Sequence, residues 1–233
     1  MMPLRLSFDS RQLFEEKWAL VCLSESELQE VRDRYGHRLV VIPMKGVLTK
    51  KPGPRRWFRL VACGDYEMDV YASGADAVAV RYALKRAAEE QWSGVVIDVK
   101  AAFLNAPLVD EDDGEDPAAV AVILRPPLLV KLGFAKPGEH YGADKPIYEL
   151  RQSPKRWGDH RDRRLLTMRT ASGYIFRPSE AERGSLEEQE IGGQLFGLIL
   201  IYVDDMLILS VELIVRGDRD ASEGMEYFSA RVD

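Results

Sequence analysis

Cysteine is almost missing. The 233-residue chain carries two, Cys22 and Cys63, far apart and in no Cys-x-x-Cys pair, so neither a disulfide framework nor a thiolate zinc site is indicated. A reducing, intracellular setting is the expectation. Histidine is equally sparse, and His37, His140 and His160 show no metal-ligand spacing. The N-terminal stretch Met1-Met-Pro-Leu-Arg-Leu-Ser7 lacks the apolar core of a signal peptide. A membrane span would need about 20 apolar residues. The best candidate, residues 198–209, is broken at its centre by Asp204 and Asp205, each costing about 2.5–3.5 kcal/mol at a bilayer centre. No membrane partner is expected. Positive charge is not in excess either, with 38 acidic against 32 basic residues and a formal charge of −6, which taken whole argues against a polyanionic partner. That acidity is local. Asp110, Glu111, Asp112, Asp113, Glu115 and Asp116 crowd into one run without a calcium-loop pattern, and the remainder balances at 32 against 32. The run reads as a solvated insertion.

What is present is an apolar content of 46%, enough for a real core, and a central segment Gly197-Leu-Ile-Leu-Ile-Tyr-Val-Asp-Asp-Met-Leu-Ile-Leu209. Each apolar half has strand length and β-branched content, so the pattern predicts a strand, a turn at Asp204-Asp205, and a second strand. Adjacent carboxylates in such a run need a reason, and a bound divalent cation reverses their mutual repulsion. A third acid, Asp98, ends the predicted strand Val95–Val99. Beside Lys100, and taken alone, it reads first as an ion-pair partner or turn former. Two-metal nucleotidyl transfer uses carboxylates that bridge two ions about 3.5–4 Å apart, and Asp98 with Asp204 and Asp205 could supply them.

Around these acids the chain divides into short elements. Ser24-Glu-Ser-Glu27 is a capping-box pattern opening a helix over 25–35. Strands are predicted at 38–44 and 56–63, joined by Lys50-Lys-Pro-Gly-Pro54. The resulting hairpin gathers Lys45, Lys50, Lys51, Arg55, Arg56 and Arg59 with Trp57 and Phe58, which suits phosphate contact and base stacking as well as it suits a solvated charged surface. Ser73 or Asp76 caps a helix running to about Trp92, with Val80, Leu84 and Ala87 or Ala88 as its apolar stripe. A strand is expected at 120–124 and a turn at Pro137-Gly138. Ser153-Pro154 opens a helix that Gly173 closes, with Trp157, Arg161, Arg164, Leu165 and Met168 on one face. Lys155, Arg156, Arg163 and Arg169 make its remainder basic, a surface for a template backbone or simply for solvent. Residues 177–193 read as a loop or weak helix, 211–215 as a continuing strand, and 216–233 have no usable periodicity.

Three words occur in order: Asp98-Val-Lys-Ala-Ala-Phe103-Leu-Asn-Ala-Pro-Leu108, Tyr148-Glu-Leu-Arg-Gln152-Ser-Pro-Lys-Arg-Trp157 and Tyr202-Val-Asp-Asp205. Together they resemble the reverse transcriptase of copia-type LTR retrotransposons. Met44-Lys-Gly-Val-Leu-Thr-Lys-Lys51, Arg59-Leu-Val-Ala-Cys-Gly64 and Val122-Ile-Leu-Arg-Pro-Pro127 extend the likeness over about residues 40–210.

The resemblance implies an α+β right-hand polymerase, an antiparallel palm sheet backed by helices, with fingers and with the thumb lacking. Its divisions would be 1–72 and 107–152 for fingers, 73–106 and 153–233 for palm. The implied activity is RNA-directed DNA synthesis, two-metal transfer of dNTPs onto a DNA primer on an RNA template. The other class of reading is an inactive remnant or nucleic-acid-binding module that keeps the palm. Asp98, Asp204 and Asp205 would be catalytic ligands of Mg2+, with Mn2+ as the alternative ion and the Val99 carbonyl as a further ligand. Ala102, Phe103 and Gln152 would meet the incoming nucleotide, Phe103 as the ring that crowds a ribose 2′-OH. Lys50, Lys51 and Arg59 would hold the triphosphate. Tyr202 would lie beside the primer, with Lys155, Arg156 and Trp57 toward primer-template.

The family pattern has a small hydroxyl residue in place of Ala101 and a glycine in place of Glu149, whose charge is expected to repel phosphate. The resemblance also implies the remaining Pol segments (thumb, ribonuclease H, integrase) as partners, a polyprotein origin, and residence in a cytoplasmic virus-like particle or the nucleus.

Overall fold

The computed structural model describes residues 17, 19–50, 56–63, 74–108, 122–125, 127–131, 133, 135–150, 152–167, 175–178, 185–189, 195–211 and 228–231. Within these, helices and small, mainly antiparallel sheets alternate, an α+β arrangement. The chain forms two compact units, one from residues 1–70 and 103–156, the other from 71–102 and 157–233.

The first unit is built on a five-stranded sheet. In spatial order it runs β1 (Leu20–Leu23), β6 (His140–Ala143), β5 (Val122–Arg125), β2 (Val40–Lys50) and β3 (Arg56–Ala62). All its pairs are antiparallel except β2 with β5. Helix α1 (Glu25–Tyr35) begins as the sequence predicts: the Ser24 hydroxyl accepts the Glu27 amide proton while the Glu27 carboxylate accepts the Ser24 amide proton at 2.8 Å. This unit's apolar interior includes Leu20, Ile42, Met44, Leu60, Leu104, Ile147 and Leu150, each at 2% exposure or less. Strand β2 runs on to Lys50, well past the predicted end at Met44, because its pairing with β3 continues without a break to Lys50 opposite Arg56. The short strands β1 and β6 escaped the sequence reading; each has only four residues and lacks an alternating pattern. A one-turn helix α3 (Pro127–Lys131) follows β5.

The second unit carries a wholly antiparallel six-stranded sheet in the order β11 (Phe228–Arg231), β4 (Ser93–Val99), β10 (Asp205–Ser210), β9 (Leu195–Tyr202), β8 (Ser185–Gln189) and β7 (Ile175–Pro178). Helix α2 (Ala77–Glu89) is capped by Asp76, whose Oδ1 accepts the Val78 and Ala79 amide protons at 2.7 Å each. It packs on β9 and β10 through Ala83 and Ala87, which join Leu198, Leu200 and Leu209 with Val80 at the margin. The predicted stripe is therefore turned. Leu84 is 48% exposed, and the small Ala83 takes the buried position where helix and sheet approach. Alternation along β9 places Ile199 and Ile201 on the opposite face, and they too are buried.

Further expectations change. Residues 177–193 include the strand β8 and the end of β7, not a loop or helix. Pairing to β9 holds β8 in the sheet (Leu186 opposite Ile199), a long-range cause that its own charged sequence does not display. Strand β10 stops at Ser210, so the continuation expected over 211–215 is not seen at Val211 and otherwise lies outside the described residues. Strand β11 pairs with β4 in a tail whose sequence has no usable periodicity. Helix α4 (Ser153–Thr167) starts where predicted; Met168 and Gly173 lie outside the described residues, as does the acidic run 110–116. Among the described residues no helix is long and apolar enough to cross a membrane.

Candidate active site

In the second unit, β9 ends on Tyr202 and β10 begins on Asp205, and these two are register partners. The connection is thus the pair Val203-Asp204, one residue earlier than the Asp204-Asp205 turn expected. Asp205 belongs to a strand. Val203 has φ 57°, and Asp204 is not among the positive-φ residues, the pattern of a II′ hairpin turn that ordinarily takes glycine first. A β-branched side chain in that region is strained by about 1–3 kcal/mol.

Helix α4 holds the strained residue in place. The Trp157 indole Nε1–H donates to the Val203 carbonyl at 2.7 Å, and Arg161 Nη1 donates to the same oxygen at 3.1 Å. Both side chains are buried, at 3% and 4% exposure. Arg161 is itself fixed by Asp162, whose Oδ1 accepts from Nε and Nη2 at 2.7 Å. The predicted α4 face is thus right for Trp157, Arg161 and Leu165, while Arg164 is exposed.

Strand β10 then carries Asp205 directly opposite Asp98 on β4. The Val99 amide donates to the Asp204 carbonyl at 2.9 Å, tying the turn to the same strand end. Directly opposed residues have β-carbons about 4.5–5.5 Å apart, and like charges so placed repel. Asp98 and Asp205 are exposed and Asp204 half-buried. The structure brings the three sequence-selected acids to one end of two neighbouring strands. It brings Tyr202 there too, 67% exposed. The Tyr202 ring rests on Gly74, where an added Cβ would stand 2.9 Å from ring atom Cδ2. The Ala75 amide fixes that approach by donating to the Ile201 carbonyl at 2.9 Å. Sequence reasoning missed Gly74, since a lone glycine before a helix signals only a turn.

In the first unit, Phe103 lies in a short 3-10 turn, Ala102–Asn105, whose first residue is buried. Its ring meets that of Tyr148 edge-on, centroids 5.5 Å apart and planes at 69°. The Arg59 guanidinium carbon lies 5.2 Å from the Tyr148 ring centre. Glu149 follows with φ 63°, a left-handed conformation that suits the glycine of the family pattern. Its carboxylate sits 2.7 Å from Lys45 Nζ. The expected repulsion of phosphate by Glu149 is therefore offset by an ion pair the sequence did not reveal. Gln152 has its Nε2 buried with no hydrogen-bond partner, a costly condition unless a ligand supplies an acceptor. Just beyond it, Ser153 Oγ donates to the Ile147 carbonyl at 2.6 Å, tying the start of α4 to the preceding loop.

The remaining selected residues are less gathered. Lys50 ends β2 opposite Arg56, and Trp57 pairs with Thr49. Lys51 lies outside the described residues. Lys155 is exposed and Arg156 half-buried on α4.

Residues 16–220 match the family model for reverse transcriptase (RNA-dependent DNA polymerase). The chain belongs to the reverse transcriptase family. No curated protein matched it. Reverse transcriptases bind a nucleic-acid template and primer and generally use divalent metal ions. The donor set at the Tyr202–Asp205 hairpin suits such an ion in kind, being carboxylates and backbone carbonyls with no thiolate or imidazole. Among the described residues, the side chains are not drawn together into a group of three or more metal ligands. What this reverse transcriptase fold fixes is the backbone: Asp98 and Asp205 in register, and Asp204 hydrogen-bonded to Val99.

Proposed function

We propose that the chain is the polymerase domain of a copia-type LTR retrotransposon, extending a DNA primer on an RNA template with dNTPs. The second unit is read as the palm and the first as fingers. The observation that carries this reading is the register of Asp98 with Asp205, locked by the Val99–Asp204 backbone hydrogen bond. A pair of opposed carboxylates on exposed strand ends is unfavourable by itself, and a ligand cation gives the arrangement a purpose.

Asp98, Asp204 and Asp205, with the Val99 carbonyl, would hold Mg2+, or Mn2+ in its place. The bound ions would supply charge neutralisation for the attacking and leaving oxygens. The protein's own part is positioning. Trp157 and Arg161 keep the Val203-Asp204 turn from relaxing, so the backbone that carries Asp204 and Asp205 is held in place before an ion would bind. Phe103 and Ala102 would face the sugar of the incoming dNTP. The unpartnered Gln152 amide offers it a donor, and Arg59 with Lys50 and Lys51 offers charge to its phosphates. Tyr202 would border the primer end, and Lys155, Arg156 and Trp57 would lie toward primer-template. The remaining Pol segments, thumb, ribonuclease H and integrase, are the natural partners of such a domain.

Primer extension on an RNA template with Mg2+ and dNTPs tests the reading. Asp98→Asn and Asp204→Asn are each expected to reduce extension by at least about a hundredfold, with the folded structure retained by circular dichroism. Extension that survives both substitutions would remove the metal-site assignment. An inert parent that still binds primer-template would favour the binding-module reading instead.

A further inference from the structure

We propose that Tyr148 is a positioning residue that sets the choice between deoxyribose and ribose by fixing the Phe103 ring. The inference rests on the polymerase reading, in which Phe103 faces the sugar. A phenyl ring on a short 3-10 turn and only half-buried can exclude a 2′-hydroxyl only if it is held against rotation. Turn backbone alone does not do that, because the ring's position depends on side-chain torsions with several staggered wells.

Tyr148 supplies the missing restraint. Its ring meets Phe103 at 5.5 Å and 69°, the edge-to-face geometry aromatic quadrupoles favour. Tyr148 is itself clamped at three points. The Arg59 guanidinium lies 5.2 Å from its ring centre, within cation–π range. Its carbonyl accepts the Ala62 amide proton at 3.0 Å, attaching its backbone to the end of β3. The next residue, Glu149, pairs with Lys45 of β2 at 2.7 Å. Successive residues of one turn thus engage both strands of the β2–β3 hairpin, and the register (Val47 opposite Arg59, Lys45 opposite Val61) puts both cations on the same sheet face. The gate ring is fixed to the hairpin through Tyr148. Nothing in the composition of Tyr148-Glu-Leu-Arg-Gln152 indicates this, since Phe103 lies far away in sequence.

The test compares Tyr148→Leu and Tyr148→Phe in single-nucleotide extension with dATP and with ATP, reading kcat and KM separately. Tyr148→Leu, which removes the ring, is expected to lower the dATP-over-ATP preference by about three- to tenfold, chiefly by improving kcat/KM for ATP. Tyr148→Phe keeps the ring edge and is expected to retain the preference. A parallel fall for both nucleotides in Tyr148→Leu would mean a merely structural residue and would overturn the proposal, as would loss of preference in Tyr148→Phe.

A second measurement needs no polymerase activity. Denaturant unfolding of Tyr148→Leu, Phe103→Leu and the double variant forms a cycle, and coupling between the two rings is expected. Strict additivity overturns the proposal even in an inert chain. Coupling in a chain that extends no primer would instead fault the polymerase reading.

Discussion

Val203 shows how one residue can be held in a conformation its own chemistry opposes. The hairpin between β9 and β10 needs a positive φ at its first turn residue, glycine would adopt it freely, and the chain places a β-branched residue there at φ 57°. Val203→Gly is therefore expected to raise stability by about 1 kcal/mol, read as the denaturation midpoint, since the released strain exceeds the added chain entropy of glycine. A lower midpoint would mean that the half-buried valine side chain contributes more than the strain costs. Trp157→Phe keeps a ring but removes the indole donor from the Val203 carbonyl, and should cost about 1–2 kcal/mol. Glu149 presents the same backbone problem at φ 63°, with the addition of an ion pair. That pair is about half exposed, 47% and 46%, so screening leaves it worth about 0–1 kcal/mol. Glu149→Gly should therefore be neutral to slightly stabilising, while removing the Glu149 carboxylate from beside Lys45. If that cation faces the triphosphate, KM for dNTP falls in the same variant, and an unchanged KM would separate Lys45 from the nucleotide.

Among elements, those with local causes were the ones legible in the sequence. Both capped helices begin where their capping residues stand, Ser24 for α1 and Asp76 for α2, because a cap is an interaction within four residues. Asp76→Ala should cost about 1 kcal/mol by thermal or chemical denaturation; no loss would mean that the packing of Ala83 and Ala87 on β9 and β10 fixes the helix start unaided. The strands β9 and β10 were legible from their unbroken apolar content, yet the turn between them was read one residue late. Asp-Asp carries more turn signal than Val-Asp, and only the register of Tyr202 with Asp205 reveals which pair is outside the ladder. Strands β8 and β11 were not legible at all. They exist through pairing with β9 and β4, and long-range pairing leaves no mark in a short charged segment.

At the scale of the molecule, the two units are interleaved in sequence, each assembled from two separate segments. The acids of the candidate site could be selected from their words, and their meeting within the second unit follows from one sheet register. The aromatic and ionic contacts around Tyr148 in the first unit could not, because partners such as Phe103 and Lys45 come from distant positions. The same separation gives the stability of each unit its own handles. In the first unit Tyr141 on β6 is buried, and its hydroxyl donates to Glu139 Oε2 at 3.1 Å. Burial first, then the charge and hydrogen bond of Glu139, push the phenol up to about 12 from an ordinary value of 10.0. The neutral form is thus the one the fold favours, so the stability it contributes is complete below pH 10 and is lost as pH rises toward 12. Lys145 in the same unit acts with the opposite sign, its pKa lowered by burial despite Asp144, so a bare pH profile mixes the two. The difference between the parent and Tyr141→Phe isolates the phenol. Denaturation midpoints should fall more steeply for the parent than for Tyr141→Phe between pH 10 and 12. Parallel falls would show that the Tyr141 hydroxyl ionises in the folded chain as it does in the unfolded one.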